Sequence, residues 1–147
     1  MNQQKPDTFQ LGIKALIRNR KGEILVLKSN PNYKYITSKK SAYWDLPGGR
    51  LHKDNSIEET LRREVMEEVR IKDIKIEKLL DASISKHRPE KNLGLILFTF
   101  LCSIADTNVI KFMDDEHIDF KWCSPKKAAS LLNNKFSDTL CEAVRNL

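Results

Sequence analysis

The sequence has few of the residues that interrupt or cross-link a chain. Its 147 residues include only 5 Gly and 5 Pro, which excludes a collagen-like or low-complexity protein. The cysteines number 3, stand far apart and form no C-x-x-C pair, so neither a zinc site nor a disulfide framework is expected. We expect all of them to be reduced, buried thiols, namely Cys102, Cys123 and Cys141.

Long apolar runs are also absent. The longest one, residues 93–104, is interrupted by Gly94, Thr99 and Ser103. A bilayer core about 30 Å thick requires about 20 consecutive apolar residues, so we expect no membrane span. Residues 1–10 are polar and lack the apolar stretch of a signal peptide. We therefore expect a cytoplasmic protein without a membrane partner.

Apolar residues are nevertheless sufficient for a core. Hydrophobic residues make up 40% and charged residues 31% of the chain, which predicts a single folded domain over residues 1–147. The formal charge of +6 is concentrated in residues 1–55, which carry 11 Lys and Arg against 4 Asp and Glu. Such a segment attracts polyphosphates and nucleic acids alike, or it is simply a solvated surface on which Lys14 is exposed.

Hydrophobic periodicity indicates a mixed α/β chain. Residues 10–18 and 23–28 form two β-branched segments around a polar turn, which predicts a β-hairpin. A long polar loop follows over residues 29–43. Residues 56–69 carry an apolar residue at every fourth position after a Ser56 cap, which predicts a helix. Three further strands and two helices are expected over residues 74–84, 93–104, 118–123, 125–132 and 137–146. Helices packed on the faces of a mixed sheet would follow.

The predicted helix carries three carboxylates on one side. Glu64, Glu67 and Glu68 stand at spacings i, i+3 and i+4, which place them on one face of the helix. Hard oxygen ligands of this kind suit Mg²⁺, and also Mn²⁺, with substrate phosphates completing the coordination. The alternative is a solvated face whose carboxylates pair with the nearby basic residues Arg62, Arg63 and Lys72.

The surrounding motif decides between these alternatives. Gly49 followed by Arg63-Glu64-Val65-x-Glu67-Glu68-x-x-Ile71 strongly resembles the Nudix box. The preceding Trp44-Asp45-Leu46-Pro47-Gly48-Gly49 and the later Glu116-His117 with Trp122 are similar to MutT-like members of that family. The resemblance implies a Nudix-type α/β/α sandwich with a mixed β-sheet. It also implies Mg²⁺-dependent hydrolysis of a nucleoside diphosphate linked to another group.

The resemblance implies roles for particular residues. Glu64, Glu67 and Glu68 would hold the metal, with a carbonyl ligand from Gly48 or Gly49. The general base would be Glu64, Glu68 or Glu116, since a downstream glutamate is recruited to the metal in some family members. Arg63 is the box arginine and would belong to the catalytic set.

Substrate contacts are less specific in the sequence. Arg50 is a candidate for contacting phosphate, with an ordinary surface arginine as the alternative. Tyr43 is a candidate for stacking on a base, as are Tyr33, Tyr35 and Trp44, because aromatic rings offer a flat apolar face. We expect the three histidines, His52, His87 and His117, to have structural or surface roles.

Two box positions depart from the pattern. Asn55 stands where the family has a glutamate that mainly tethers the box arginine, and it would replace a charge-assisted pair with a weaker hydrogen bond to Arg63. Arg70 stands where the family has a glycine that eases a left-handed helix exit; an arginine there would cost about 1 kcal/mol, or else the helix ends by another route. Neither departure removes a carboxylate, so activity is expected to be retained.

The substrate is not defined by any motif. A small-molecule nucleotide, in particular a (d)NTP, is the first choice, with ADP-ribose or a dinucleotide second. A third alternative is an RNA-processing or nucleic-acid-binding module that uses the basic segment. We expect the loop lysines Lys34, Lys39 and Lys40 to steer small polyphosphates rather than to grip a nucleic-acid backbone. The sequence does not indicate an oligomeric state.

Overall fold

The structure is a computed structural model that describes residues 4–33, 41–105, 110–111 and 115–147. Lys34, Tyr35, Lys39 and Lys40, for which the sequence suggests steering and stacking roles, lie outside the described residues. The strands are β1 (Thr8–Arg18), β2 (Ile24–Ser29), β3 (Trp44–Asp45), β4 (Gly48–Arg50), β5 (Lys75–Ile84), β6 (Leu93–Ser103) and β7 (His117–Cys123), and the helices are α1 (Ile57–Val69), α2 (Pro125–Leu132) and α3 (Asp138–Arg145).

The described strands form one mixed sheet with helices on both faces. The pairing follows the order β3-β2-β1-β6-β5, with β4 paired to β1 and β7 paired to β2. One hydrophobic cluster lies between the sheet and α2 and α3, and a second lies between the sheet and α1. The predicted α/β/α sandwich with a mixed sheet is therefore confirmed.

Strand β1 is the centre of this arrangement. It pairs in parallel with β6 along its whole length, from Thr8 with Leu93 to Arg18 with Ser103. Successive side chains point to opposite faces, so Leu16 enters the α2–α3 cluster while Ile17 enters the α1 cluster. Burial on both faces explains why β1 is a nearly continuous apolar run.

The predicted β-hairpin is only partly formed. Strands β1 and β2 are joined by a turn, but they pair with each other through one pair of residues, Arg18 with Ile24. Beyond that pair the edge of β1 is occupied by β4, through Gly12 to Lys14, and the corresponding edge of β2 by β3, through Leu27 and Lys28, while β7 pairs with the other edge of β2. The local sequence could not reveal this, because both competing strands come later in the chain.

Helix α1 begins and ends as its sequence suggests. The Ser56 side chain accepts a hydrogen bond from the Glu59 N–H at 3.1 Å and so caps the first turn. Leu61, Val65 and Val69 are buried against the sheet. The helix ends at Arg70, whose φ of 62° is left-handed although the residue is not glycine.

The remaining expectations on helices and cysteines are confirmed. Ser124 caps α2 ahead of Pro125, and Ser137 caps α3. The three cysteines are free and buried, and burial raises the pKa of the Cys102 thiol to about 12. Among the described residues, no helix is both long enough and apolar enough to cross a membrane.

Candidate active site

A cavity of about 380 Å³ opens beside strands β1, β4 and β6. Its lining includes Gly12 and Lys14 of β1, Gly48 to Arg50 of β4, and Leu95 and Leu97 of β6. Glu64 of α1 and the loop residues Tyr43 and Glu116, which are candidate site residues from the sequence, also line the cavity. The structure thus brings several of the predicted site residues to one cavity.

Glu68 joins α1 to the glycine turn. Its carboxylate Oε2 accepts a hydrogen bond from the Gly48 N–H at 3.1 Å, and the residue is 3% exposed. Burial raises the pKa of Glu68 well above its usual value, and the nearby Lys14 and Gly48 act in the opposite direction. A buried carboxylate of this kind is stabilised by a cation.

Glu64 lies against the next residue of the turn. A β-carbon on Gly49 would come within 2.5 Å of Glu64 Cδ, and one on Gly48 would come within 2.0 Å of the Ile13 carbonyl oxygen. The two glycines therefore permit a close approach that no other residue allows. Burial, with a smaller contribution from Glu67, raises the pKa of Glu64.

The third carboxylate does not join the other two. The Glu67 side chain is 58% exposed, and its Oε1 lies 3.9 Å from Arg63 Nε. Within the described part of the chain, no three His, Cys, Asp or Glu side chains lie close enough to hold a metal ion. The expected convergence of three carboxylates is therefore not present in this arrangement, because Glu64 and Glu68 turn towards β4 while Glu67 turns outwards.

Arg63 belongs to this outer side of the helix. Its guanidinium lies 3.5 Å from Glu64 Oε1 as well as near Glu67. The expected hydrogen bond from Arg63 to Asn55 is not among its contacts with the described residues. Asn55 instead donates its backbone N–H to the His52 carbonyl oxygen at 3.0 Å.

A buried group of three charges forms another wall of the cavity. Asp45 Oδ1 lies 3.2 Å from Lys14 Nζ, and Asp45 Oδ2 lies 2.6 Å from Lys135 Nζ. Burial would raise the pKa of Asp45, but the two ammonium groups outweigh it and hold that pKa well below its usual range. Lys14 is thus buried, which corrects the expectation of an exposed lysine on β1.

Burial acts in the same direction on both lysines, but neighbouring charges make the net shifts of their pKa values opposite. Burial would lower the pKa of Lys14, but Asp45, Glu68 and Glu116 together outweigh it and raise that pKa. Burial lowers the pKa of Lys135 to about 8, against the attraction of Asp45. Lys14 therefore lies in the field of carboxylates on both sides, whereas Lys135 interacts mainly with Asp45.

Aromatic side chains line the cavity next to Lys135. The Tyr43 ring lies edge-on to the His87 ring with centroids 4.8 Å apart, and Lys135 Nζ lies 5.4 Å from the Tyr43 ring. Burial and the Asp45 charge raise the pKa of the Tyr43 hydroxyl to about 12. Tyr33 and His87 also line the cavity. For His87, the sequence suggested only a structural or surface role.

Cationic groups and one further carboxylate complete the site. Arg50 is half-buried, burial lowers the pKa of its guanidinium, and that group donates to the Gln10 side-chain oxygen. Arg88 also lines the cavity. Glu116 contributes a negative charge that acts on both Lys14 and Glu68.

The oxygen donors fit a divalent cation. Mg²⁺ is usually bound through one or two carboxylates together with waters and substrate phosphates, rather than by a complete protein cage. Glu64 and Glu68 meet at the glycine turn beside a cavity whose lining includes Arg50 and Arg88. A site of this composition is that of a hydrolase acting on phosphoric anhydrides.

Comparison with known proteins agrees with this class. The family model of the NUDIX domain matches residues 8–143, and the chain belongs to this family. It is a Nudix hydrolase, an enzyme that cleaves pyrophosphate bonds, and enzymes of this family generally use divalent metal ions. Among curated proteins, none matches the chain.

Solved structures share the fold. A MutT protein from Methanosarcina mazei Go1 is 26% identical, with a TM-score of 0.71 and coverage of 97% of this chain and 95% of that one. An Ap4A hydrolase from C. elegans is 16% identical, with a TM-score of 0.72 and coverage of 92% and 93%. The NUDIX domain of NrtR from Shewanella oneidensis, solved with ADP ribose, is 16% identical, with a TM-score of 0.68 and coverage of 97% and 88%.

Sequence reasoning missed several lining residues. Asp45 lies inside the Trp-Asp-Leu-Pro-Gly-Gly segment, so its position next to the glycine turn was a usable signal. Lys135 and Arg88 gave no local signal, because each lies in a connection whose place against the cavity depends on the whole fold.

Proposed function

We propose that the chain hydrolyses a pyrophosphate bond in a nucleoside diphosphate linked to another group, with a (d)NTP as the substrate and Mg²⁺ as the metal. The observation that carries this proposal is the pair of carboxylates on the Gly48–Gly49 turn beside the cavity, namely the buried Glu68 and the half-buried Glu64. Cationic and aromatic side chains line the same cavity, as a polyphosphate with a planar base requires.

Glu64 and Glu68 would hold the ion, together with the Gly49 carbonyl. Glu67 would join them by rotation of its exposed side chain away from Arg63. When bound, the ion supplies positive charge to the phosphate oxygens and makes a water more acidic. Arg63 would act as a positioning residue, because its guanidinium lies beside the carboxylates of Glu64 and Glu67.

Other side chains of the cavity would bind and orient the substrate. Arg50 and Arg88, which line the cavity, would contact phosphate oxygens, and Tyr43, which also lines it, would contact the base. Glu116 is our first choice for the group that takes the proton of the attacking water, since it lines the cavity and Glu68 already accepts a bond from Gly48. Glu64 is the second choice.

A substrate panel tests this proposal. Product release would be measured with Mg²⁺ and with EDTA for nucleoside triphosphates, ADP-ribose, dinucleoside polyphosphates and capped RNA. We expect Mg²⁺-dependent release of a nucleoside monophosphate, with the highest kcat/KM for a triphosphate. Faster cleavage of ADP-ribose, a dinucleotide or capped RNA would overturn the substrate assignment, and no cleavage of any compound would overturn the proposed function.

A further inference from the structure

Lys135 is held in place by its backbone. Its N–H donates to the Leu132 carbonyl at the end of α2, at 3.2 Å. Its own carbonyl oxygen accepts hydrogen bonds from the Lys86 N–H at 2.8 Å and from the Ser85 hydroxyl at 3.1 Å. The turn between α2 and α3 is thus fixed to the end of β5, which presents the Lys135 side chain to the cavity at a defined position.

The Lys135 ammonium has donors to spare. Its side chain is 9% exposed and lines the cavity. Of the residues that the structure describes, Asp45 offers the acceptor within hydrogen-bond distance, at 2.6 Å. An ammonium carries three N–H donors, so two are left for a molecule in the cavity. A buried donor of this kind strongly favours a ligand with an acceptor at that point.

Lys135 lies on the side of Asp45 away from the carboxylate helix. Asp45 uses one oxygen for Lys14, which lies in the field of Glu68, and the other oxygen for Lys135. The charges therefore alternate in sign from Glu68 through Lys14 and Asp45 to Lys135. Phosphates belong at the Glu68 end of this series, where the metal would bind.

The surroundings of Lys135 suit a planar base. The ring of Tyr43 lies 5.4 Å from Lys135 Nζ, and His87 packs edge-on against that ring. Leu95 and Leu97 of β6 line the same cavity and supply an apolar surface. Aromatic and aliphatic side chains with a few fixed polar groups are the usual composition of a small-molecule pocket, and a planar base suits such a surface.

We propose that Lys135 determines base specificity by donating a hydrogen bond to an exocyclic carbonyl oxygen of the substrate base. Guanine and hypoxanthine carry that acceptor at C6, whereas adenine carries an amino group, whose N–H donors would face the N–H donors of Lys135. The enzyme therefore prefers 6-oxopurine nucleotides to adenine nucleotides. This inference rests on the proposed function, since it names the substrate class of the same site.

The test compares ITP with ATP, which differ at C6 and in the proton on N1. We expect kcat/KM to favour ITP by at least about tenfold, because a site built around a donor rejects the analogue that cannot accept. In Lys135→Met the ratio should fall to about one, through a higher KM for ITP with little change in kcat, because the contact is made in both ground and transition states. Equal rates for ITP and ATP in the wild type would overturn the inference.

Lys121→Met is the matched control. Its ammonium also lies over an aromatic ring, 5.2 Å from that of Trp44, but Lys121 does not line the cavity. This variant should keep the wild-type preference. A preference kept in Lys135→Met, or a loss of kcat on both nucleotides alike, would show that Lys135 does not read the base. Lys135→Met should fold, since Asp45 keeps Lys14 as its partner.

A binding measurement separates this inference from the proposed function. Titration of IMP and AMP in EDTA requires neither metal nor hydrolysis, and IMP should bind at least about tenfold more tightly. Lys135→Gln should reduce this difference, because its amide can turn an oxygen towards an amino group. Preferential IMP binding without hydrolysis of any nucleotide would support the base contact and overturn the proposed function. Hydrolysis without any base preference would support the proposed function and overturn the base contact.

Discussion

The carboxylate of Glu64 lies directly against the backbone of Gly49. A β-carbon at Gly49 would come within 2.5 Å of Glu64 Cδ and within 2.6 Å of Oε1. These distances are far below van der Waals contact, so the position of a proposed metal ligand depends on the absence of a side chain at residue 49.

Gly49→Ala should therefore displace Glu64 and reduce activity. We expect kcat to fall at least about tenfold, since displacement of a catalytic group by about 1 Å has large effects on rate. The measurement is steady-state kinetics with Mg²⁺ and the best nucleotide of the panel. Glu64→Asp provides the control, because its shorter side chain avoids the new methyl group. Gly49→Ala should then add little to the loss caused by Glu64→Asp, and additive losses would contradict the steric explanation.

Removing charge from the helix should abolish most of the activity. We expect Glu68→Gln and Glu67→Gln each to lower kcat at least about a hundredfold without unfolding the protein, because each keeps the shape of a proposed metal ligand and removes its charge. Thermal unfolding checks the fold. Glu58→Gln on the same helix loses an exposed ion pair with Arg62 and should remain active. Normal Mg²⁺-dependent rates in both ligand variants would refute the metal assignment.

Asn55→Glu should leave activity equal or higher. A carboxylate at residue 55 would give Arg63 a charged partner and draw its guanidinium away from Glu64, which lies 3.5 Å from it. Kinetics at low Mg²⁺ would show the effect most clearly, as a lower apparent metal requirement. A folded Asn55→Glu protein without activity would show that residue 55 does not hold the Arg63 side chain in position.

The left-handed exit of α1 should cost stability. Arg70 has a φ of 62°, where a β-carbon is disfavoured and glycine is not. Arg70→Gly and Arg70→Ala both remove the guanidinium, so their difference isolates the backbone effect. We expect the glycine variant to be more stable than the alanine variant by about 1 kcal/mol in urea unfolding. Equal stabilities would mean that the backbone at residue 70 relaxes without strain.

The stability of the protein should depend on pH through Lys135. Burial lowers the pKa of Lys135 to about 8 from 10.5, against the attraction of Asp45. Between these two pH values the unfolded chain binds more protons than the folded one, so this group makes the free energy of unfolding rise with pH. Lys14 and Arg50 add to the lowering, and Tyr43 ionises only near about 12. Urea unfolding should show that the free energy of unfolding of the wild type rises relative to that of Lys135→Met as the pH increases through this window. Parallel plots of the two free energies against pH would contradict the burial effect.

The sequence was most informative where the chemistry is local. Ser56 and Glu59 stand three residues apart, and Ser124 directly precedes Pro125, so both helix starts could be predicted from neighbouring residues. The box motif likewise predicted the α/β/α fold. The helix starts depend on interactions within a few residues of the chain, whereas the fold was implied by the resemblance of the motif to a known family.

Interactions between distant segments could not be predicted in the same way. Lys14 looks like an exposed residue of a strand, and only the folded chain shows that Asp45 neutralises it from 31 positions away. The charged pair of Asp45 and Lys135 spans 90 positions. The outward turn of Glu67 depends on Arg63, whose side-chain direction the helical spacing alone does not define.

The parallel pairing of β1 with β6 also bears on how the chain reaches its native state. Each of the 11 residues of β1 is paired in register with a residue of β6 about 85 positions further along the chain. Loop-closure entropy opposes such distant pairing, so the centre of the sheet forms late and folding is slower than in a protein dominated by local contacts. During synthesis, β1 emerges before β6, so this edge of β1 cannot pair until about 85 further residues have been made.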